Sequence, residues 1–210
     1  MPSPVITPDY WKDACRALSR SDRILRRLIP RYGDARLESR GDPFITLARS
    51  IVGQQISVKA AASVWERFAC LVETVTPPAI LRLEVATLRS AGLSLRKSEY
   101  LLDLSRHFDS TGIAVGHWDA MEDEAVIAEL VTIRGIGRWT AEMFLMFHLL
   151  RPNVLPLDDI GLLKGISTNY FSGEPVSRSE AREVGAAWAP WRSVATWYMW
   201  RSLDPMAITY

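Results

Sequence analysis

Cysteine is scarce in this sequence, and its scarcity excludes several kinds of site. Two cysteines, Cys15 and Cys70, are present among 210 residues. Two thiols are too few for a four-cysteine zinc site or for an iron–sulfur cluster. We expect both to be reduced, buried thiols in a cytoplasmic protein, because disulfides are rare in that compartment.

Long hydrophobic runs are missing as well. No stretch of about 18 apolar residues is free of charge, which argues against a membrane span. The N-terminal sequence MPSPVITPDYWKD has neither the basic start nor the apolar segment of a signal peptide. We therefore expect a cytoplasmic protein without membrane association.

Alternating polar and apolar runs, which predict β-strands, are also few. "LPL" and "AITY" are too short to build a sheet. Apolar residues instead recur at helical spacing, as in residues 44–51. Ser21, Asp42 and Ser57 are predicted helix N-caps, and a last helix is predicted from Pro190. The predicted class is all-α, as one domain or two lobes that share a core.

The charges nearly cancel overall but are unevenly distributed. Net charge is +1, yet residues 11–40 hold nine Lys or Arg against four Asp or Glu. Residues 119–129 hold five acids. Solvated helix faces explain both clusters and are favoured on charge alone. A one-sided basic surface, which would suit nucleic acid, is the alternative.

Two glycines interrupt the apolar sequence "TIRGIGRWTAEMF" at residues 132–144. Gly135 and Gly137 can adopt positive φ between two helices, and Arg134 and Arg138 flank the turn. A helix N-terminus beside such a turn suits a phosphate group. A tight corner between two core helices explains the glycines equally well. A dinucleotide-binding fingerprint is disfavoured, because no strand precedes it.

The helix that follows this turn is apolar nearly all round. Trp139, Met143, Met146 and Leu150 share one face. A helix of this kind is expected to lie in the middle of the fold. Trp139, at its start, is therefore expected where the interior meets the phosphate site.

Two adjacent acids, Asp158 and Asp159, end the segment "VLPLDD" just before a predicted helix. One carboxylate as the helix N-cap is the favoured explanation by residue type. The second acid, behind an apolar segment, is a candidate general base or a group that stabilises a developing cation.

The C-terminal segment "WAPWRSVATWYMW" is rich in indoles. On a helical wheel, Ser193, Thr196, Trp197 and Trp200 share one face. Exposed aromatics beside hydroxyls would suit a pocket that stacks a planar ring, above all a positively charged one. Partly buried packing is the other explanation.

A helix break at "IVGQQIS" carries two consecutive glutamines, Gln54 and Gln55. In an ordinary surface loop both side chains would simply be solvated. Beside a DNA duplex, a glutamine could enter the stack where a base has left and hydrogen-bond the orphaned partner.

Together these segments resemble one family, the helix-hairpin-helix (HhH-GPD) DNA glycosylases, and within it the 3-methyladenine DNA glycosylase II (AlkA-like) branch. "DPFITLARSIVGQQIS", "AGLSLRKSEYL" and "WAPWRSVATWYMW" resemble that branch in the expected order, over roughly Tyr10 to Trp200. The resemblance implies one two-lobed helical unit, residues 1–210, with a cleft between the lobes and no N-terminal sheet domain. The implied lobes are 34–151, which contains the helix-hairpin-helix 122–150, and 1–33 with 152–210.

The resemblance also implies roles for individual residues. Asp159 matches the catalytic aspartate, and Asp158 its neighbour. The residues implied to line the base pocket are Trp139, Trp200, Met143 and Trp197. Those implied to contact the DNA backbone are Gly135, Gly137, Arg134 and Arg138. Gln55, with Gln54, is implied to fill the gap left by the flipped base. Gln55 departs from the apolar wedge of the bacterial type enzyme. Bifunctional relatives carry a lysine where this chain has Trp139, so no Schiff base is expected.

The function implied is that of a monofunctional DNA glycosylase for alkylated bases of the 3-methyladenine and 7-methylguanine type. Its partner would be double-stranded DNA, and it would act as a monomer in the cytoplasm, at the nucleoid in a bacterium. No catalytic metal or cofactor is expected, although the hairpin carbonyls could hold a monovalent ion, as in the resembled family. The alternative is a non-enzymatic helix-hairpin-helix module that binds DNA structure.

Overall fold

The computed structural model describes residues 7–33, 35–39, 41–113 and 116–203, and this part of the chain is helical without a β-strand. One short 3₁₀ helix, Ile29–Tyr32, accompanies the α-helices. The α-helices are α1 Trp11–Ser21, α2 Arg23–Leu28, α3 Pro43–Gly53, α4 Val58–Ala69, α5 Pro77–Leu81, α6 Val85–Ser90, α7 Leu95–Thr111, α8 Asp123–Leu130, α9 Arg138–Phe147, α10 Ile160–Tyr170, α11 Arg178–Ala186 and α12 Arg192–Leu203. The predicted all-α class is confirmed. No helix among the described residues is long and apolar enough to cross a lipid bilayer. The prediction that both cysteines are buried is wrong, since Cys70 is exposed and Cys15 is partly exposed.

The helices group into two compact units. Among the described residues, the first unit holds 41–144, and the second joins 7–39 to 145–203. The first unit thus contains the glycine hairpin and the two glutamines. The second contains the acid pair and the C-terminal indoles.

Local capping explains where several helices begin. The Asp42 carboxylate accepts from the N–H of Ile45, and the Ser57 hydroxyl accepts from the N–H of Ala60, as predicted. The prediction for Ser21 is wrong. Ser21 is the last residue of α1, and its hydroxyl donates to the Ala17 carbonyl. The next residue, Asp22, caps α2.

The first unit is built around α7, against which α3 and α5 pack. Leu101 and Phe108 lie on the buried face of this helix. The ring of Phe108 contacts Phe44 at 5.4 Å and Trp118 at 6.0 Å between centroids. Trp118 in turn lies 5.0 Å from Phe144 of α9. This aromatic row ties Phe144 of the hairpin helix α9 to the core of the first unit.

The second unit is built around α12, whose residues Ser193 to Trp200 are all buried. Trp11 of α1 packs edge-on against Trp197, with 5.3 Å between centroids. A Cβ at Gly165 of α10 would lie 2.8 Å from the Met199 carbonyl oxygen, so the two helices approach closely there. Helix α12 begins at Arg192, two residues after the predicted start at Pro190. A turn precedes it, in which the Trp191 N–H donates to the Trp188 carbonyl.

One carboxylate, Asp22, joins three parts of the second unit. Its Oδ1 caps α2 by accepting from the N–H groups of Ile24 and Leu25. Its Oδ2 accepts from the Tyr170 hydroxyl at 2.7 Å, and the Trp188 indole N–H donates to that hydroxyl at 3.2 Å. Burial, with the bond to Asp22, raises the pKa of Tyr170.

We expect Asp22→Ala to lower the free energy of unfolding by about 2–4 kcal/mol. The change removes a cap, which contributes about 1 kcal/mol, and leaves the half-buried Tyr170 hydroxyl without its acceptor, at about 1–3 kcal/mol. Urea denaturation measures the difference. Asp13→Ala is the control, because Asp13 is an exposed acid that pairs with Arg16 one turn away. Equal, small effects of the two changes would contradict the network.

Candidate active site

Asp159 is a buried carboxylate at the start of α10. It is 6% exposed. Its Oδ1 accepts from the backbone N–H of Leu162 at 2.5 Å and from the indole N–H of Trp200 at 2.7 Å. Both donors stabilise negative charge on this oxygen, and so does the positive end of the helix dipole. The carboxylate is therefore held in a fixed orientation by two donors.

The neighbouring acid, Asp158, has a different environment. It is exposed, and its carboxylate pairs with Arg178 at 2.8 Å. By residue type, one acid was expected to cap the helix and the other to do the chemistry. The structure places the cap on Asp159, the same acid that the family resemblance marks, and leaves Asp158 in a surface ion pair. Capping and a catalytic role are therefore compatible at one residue.

Trp200 fixes the other side of this carboxylate. It is 2% exposed and stacks on Phe147, with 5.8 Å between ring centroids and 12° between the ring planes. The stack sets the plane of the indole, which sets the direction of its N–H toward Asp159.

Gly161 leaves the room that this pair needs. A Cβ there would lie 3.0 Å from Asp159 Oδ1 and 3.0 Å from Trp200 Cδ1. Sequence reasoning missed both Gly161 and Phe147. A glycine in the first turn of a helix, directly after the two acids, was the available signal for Gly161; nothing in the sequence pointed to Phe147.

The remaining predicted pocket residues lie in two different settings. The expectation of exposed aromatics on α12 is wrong, because the whole segment from Ser193 to Trp200 is buried. Trp197 packs against Trp11, and the Arg201 guanidinium lies 5.3 Å from its ring centroid. Trp139 is half-buried and Met143 is buried, both on α9. Their places in a base pocket stay predictions.

The hairpin between α8 and α9 uses its two glycines differently. Gly135 has φ of +90°, and a Cβ there would come closer than 3 Å to the Tyr100 ring. Gly137 does not have the positive φ expected of it, and a Cβ there would meet nothing within 4 Å. Gly135 is therefore required by the fold of the turn, whereas the surroundings of Gly137 leave room for a side chain.

The two arginines beside the hairpin have carboxylate partners. Arg134 donates from Nε to Asp103, which raises the pKa of its guanidinium. Arg138 donates from both terminal nitrogens to Glu124 and from Nε to Glu142. A phosphate contact by either side chain would have to share or displace these partners. The predicted backbone contacts of both arginines stay predictions.

A monovalent ion on the hairpin carbonyls stays a prediction. The Ile133 carbonyl accepts from the N–H of Ile136, and the Gly135 carbonyl accepts from the side chain of Gln54. Each carbonyl oxygen has a second lone pair, and carbonyl oxygens are suitable ligands for hard cations. Within the described ranges, no group of three or more His, Cys, Asp or Glu side chains is placed to hold a metal ion.

The structure separates the two glutamines after α3. Gln55 is exposed with φ of +58°, a conformation uncommon outside glycine. The Gln54 amide instead donates to the Gly135 carbonyl at 2.8 Å. One glutamine points to solvent and the other holds the hairpin, a difference that the sequence does not reveal.

Comparison with known proteins relates this arrangement to a repair family. Residues 48–190 match the HhH-GPD superfamily of base excision DNA repair proteins. The chain is 32% identical over 169 residues to the putative DNA-3-methyladenine glycosylase YfjP of Bacillus subtilis, covering 75% of this chain and 58% of that protein. It is 29% identical over 182 residues to DNA-3-methyladenine glycosylase 1 of Schizosaccharomyces pombe, covering 85% of this chain and 80% of that protein.

Solved structures agree with the sequence comparison. A DNA-3-methyladenine glycosidase from Bacillus halodurans superimposes with a TM-score of 0.84 at 34% identity, over 96% of this chain and 93% of the other. The Schizosaccharomyces pombe enzyme in complex with abasic DNA superimposes with a TM-score of 0.82 at 29% identity, over 94% of this chain and 100% of the other. With the matched segment covering more than half of its length, the chain belongs to the HhH-GPD superfamily of base excision DNA repair proteins.

Proposed function

We propose that this protein is a monofunctional DNA glycosylase that removes alkylated bases of the 3-methyladenine and 7-methylguanine type from double-stranded DNA. The observation that carries the proposal is the buried Asp159 carboxylate, oriented by the Leu162 N–H and by the Trp200 indole. The relatives named as DNA-3-methyladenine glycosylases support the substrate class. We further propose that it acts as a monomer in the cytoplasm.

The chemistry begins when the damaged nucleotide leaves the base stack. Unstacking and unpairing cost a few kcal/mol, and the cost is lowest for a damaged pair. Alkylation at a ring nitrogen places positive charge on the purine, which makes the base a better leaving group. The same charge favours contact with an indole face, and the half-buried Trp139 is the proposed stacking residue.

Asp159 acts on the sugar as the N-glycosidic bond breaks. The bonding electrons leave with the base, and C1′ becomes cationic. The carboxylate stabilises this oxocarbenium-like centre and assists the water that adds to C1′. Water supplies the new C1′–O bond, so the product is an abasic site. The position where bifunctional relatives carry a lysine is Trp139 here, so no Schiff base forms and the backbone stays intact.

DNA binding falls to the hairpin in this proposal. Helix α9 begins at Arg138, directly after the hairpin, and the positive end of a helix dipole attracts anions. A Cβ at Gly137, just before this helix, would meet nothing within 4 Å. A backbone phosphate is the proposed ligand here, and such a contact carries no sequence information.

Base release from methylated duplex DNA tests the proposal. Free base is measured by chromatography, and strand breakage is measured with and without alkali. Release of 3-methyladenine or 7-methylguanine, with breaks only after alkali treatment, is the expected result. Duplex binding without release of any base would instead favour the non-enzymatic module, which needs the hairpin but not Asp159.

Trp200→Phe is expected to slow base release about tenfold to a hundredfold. Phenylalanine keeps an aromatic ring on Phe147 but removes the N–H that donates to Asp159. A hydrogen bond to a charged group contributes about 1.5–3 kcal/mol, which corresponds to that range of rates. Single-turnover rates on a 7-methylguanine duplex measure the effect, with Trp191→Phe, a partly exposed indole that stacks on Tyr10, as the control. Equal rates for native and Trp200→Phe proteins would contradict the role of the indole N–H.

A further inference from the structure

The turn between α3 and α4 contains two glutamines in different settings: Gln55 is exposed, and Gln54 is hydrogen-bonded to the hairpin. Helix α3 ends at Gly53, and Ser57 caps α4. Between them, Gln55 is exposed in a left-handed conformation. A non-glycine residue in this region is strained, by about 1–3 kcal/mol, and persists only where its surroundings hold it.

Two hydrogen bonds to distant parts of the chain hold the turn and the end of the helix before it. The Gln54 amide nitrogen donates to the Gly135 carbonyl at 2.8 Å, across 81 residues of chain. The Lys97 ammonium donates to the Val52 carbonyl at 2.8 Å, at the C-terminal end of α3. The Lys97 ammonium is partly removed from water, and this burial lowers its pKa.

The Gly135 end of the first contact is itself fixed. Gly135 lies against the Tyr100 ring so closely that no Cβ fits. The carbonyl that accepts from Gln54 therefore belongs to a closely packed residue of the hairpin. The exposed tip at Gln55 is thus joined, through the hydrogen bond of its neighbour Gln54, to the loop that the proposed function places on the DNA backbone.

We propose that Gln54 is a positioning residue that couples the phosphate-binding hairpin to the Gln55 tip. When the hairpin grips the strand, the Gln54 amide sets where Gln55 enters the stack to occupy the space of the flipped base. This inference rests on the proposed function. It assigns to the two adjacent glutamines different tasks, one that holds and one that inserts.

The position of Gln55 should affect the rate only when the flipped base leaves an unpaired base on the opposite strand. With an abasic site opposite the damaged base, there is no orphaned partner for Gln55 to bond. The hairpin still meets the same duplex backbone. The ratio of the rates on these two duplexes therefore isolates the action of the tip from general activity.

The experiment compares Gln54→Ala and Gln54→Glu with the native chain. Gln54→Glu keeps the side-chain volume but replaces the N–H donor with a carboxylate, which repels the Gly135 carbonyl. Both variants are assayed on a 7-methylguanine duplex with cytosine opposite the lesion and on the same duplex with an abasic site opposite. Gln55→Ala shows the size of effect that loss of the tip itself produces. Thermal melting of every variant is followed in parallel.

We expect both Gln54 variants to release base about three- to tenfold more slowly from the paired duplex, as for the loss of one hydrogen bond. Their rates on the duplex with the abasic site opposite should stay within about twofold of native by the same reasoning. Equal losses on both duplexes would indicate a structural role and overturn the inference. Unchanged rates on both would overturn it too. A native chain that releases no base would refute the proposed function itself, and this inference with it.

Discussion

Asp159→Asn should abolish most base release while leaving the fold intact. Asparagine is as good an N-cap as aspartate, and its oxygen can still accept from the Leu162 N–H and the Trp200 indole. The negative charge alone is lost. Because that charge stabilises the cationic sugar, we expect the single-turnover rate on methylated duplex DNA to fall about 10²- to 10⁴-fold.

Asp158→Asn is the matched control for this change. It replaces the adjacent carboxylate with the same isostere, but Asp158 is exposed and pairs with Arg178 on the surface. Its rate and its melting temperature should both stay close to native. If Asp158→Asn lost as much activity as Asp159→Asn, the assignment of the catalytic carboxylate would be wrong.

Gly135→Ala should destabilise the first unit and weaken DNA binding together. The backbone at φ of +90° is unfavourable for any residue with a Cβ, and this Cβ would overlap the Tyr100 ring. Strain and overpacking each cost about 1–3 kcal/mol. We expect the melting temperature to fall by about 5 °C or more, as measured by circular dichroism. Affinity for an abasic duplex should fall with it, because the hairpin has to shift.

Gly137→Ala provides the contrast, since it is a glycine two residues away in the same turn. A Cβ at Gly137 would meet nothing within 4 Å, and the backbone there does not have a positive φ. The melting temperature should therefore be unchanged, while duplex affinity falls because the methyl group occupies the space proposed for a phosphate. Unchanged affinity would mean that no phosphate lies at this helix N-terminus.

A double-mutant cycle separates the two causes of strain at Gly135. Tyr100→Ala removes the ring that the new Cβ would strike, but it does not change the backbone conformation. The double variant should therefore be less destabilised than the sum of the two single changes. An additive result would show that backbone strain, and not overlap with the ring, dominates.

Much of the fold and part of the site could be predicted from the sequence. The all-α class, the caps at Asp42 and Ser57, and the position of the glycine hairpin follow from spacing over three or four residues. Such signals are local, because a helix bonds each N–H to the carbonyl one turn back. The acid pair after "VLPL" was likewise visible, as residue types beside a predicted helix start.

The tertiary structure decided which residue does which task. Asp159 and Trp200 are 41 residues apart, and Gln54 and Gly135 are 81 apart. No local pattern predicts these hydrogen bonds, because they depend on how helices pack. The same packing buried the indoles of α12 that a helical wheel left exposed, and it made Gly135 a required glycine while Gly137 stayed open. Sequence alone determined the helices and the candidate residues; contacts between distant helices determined how those residues are oriented.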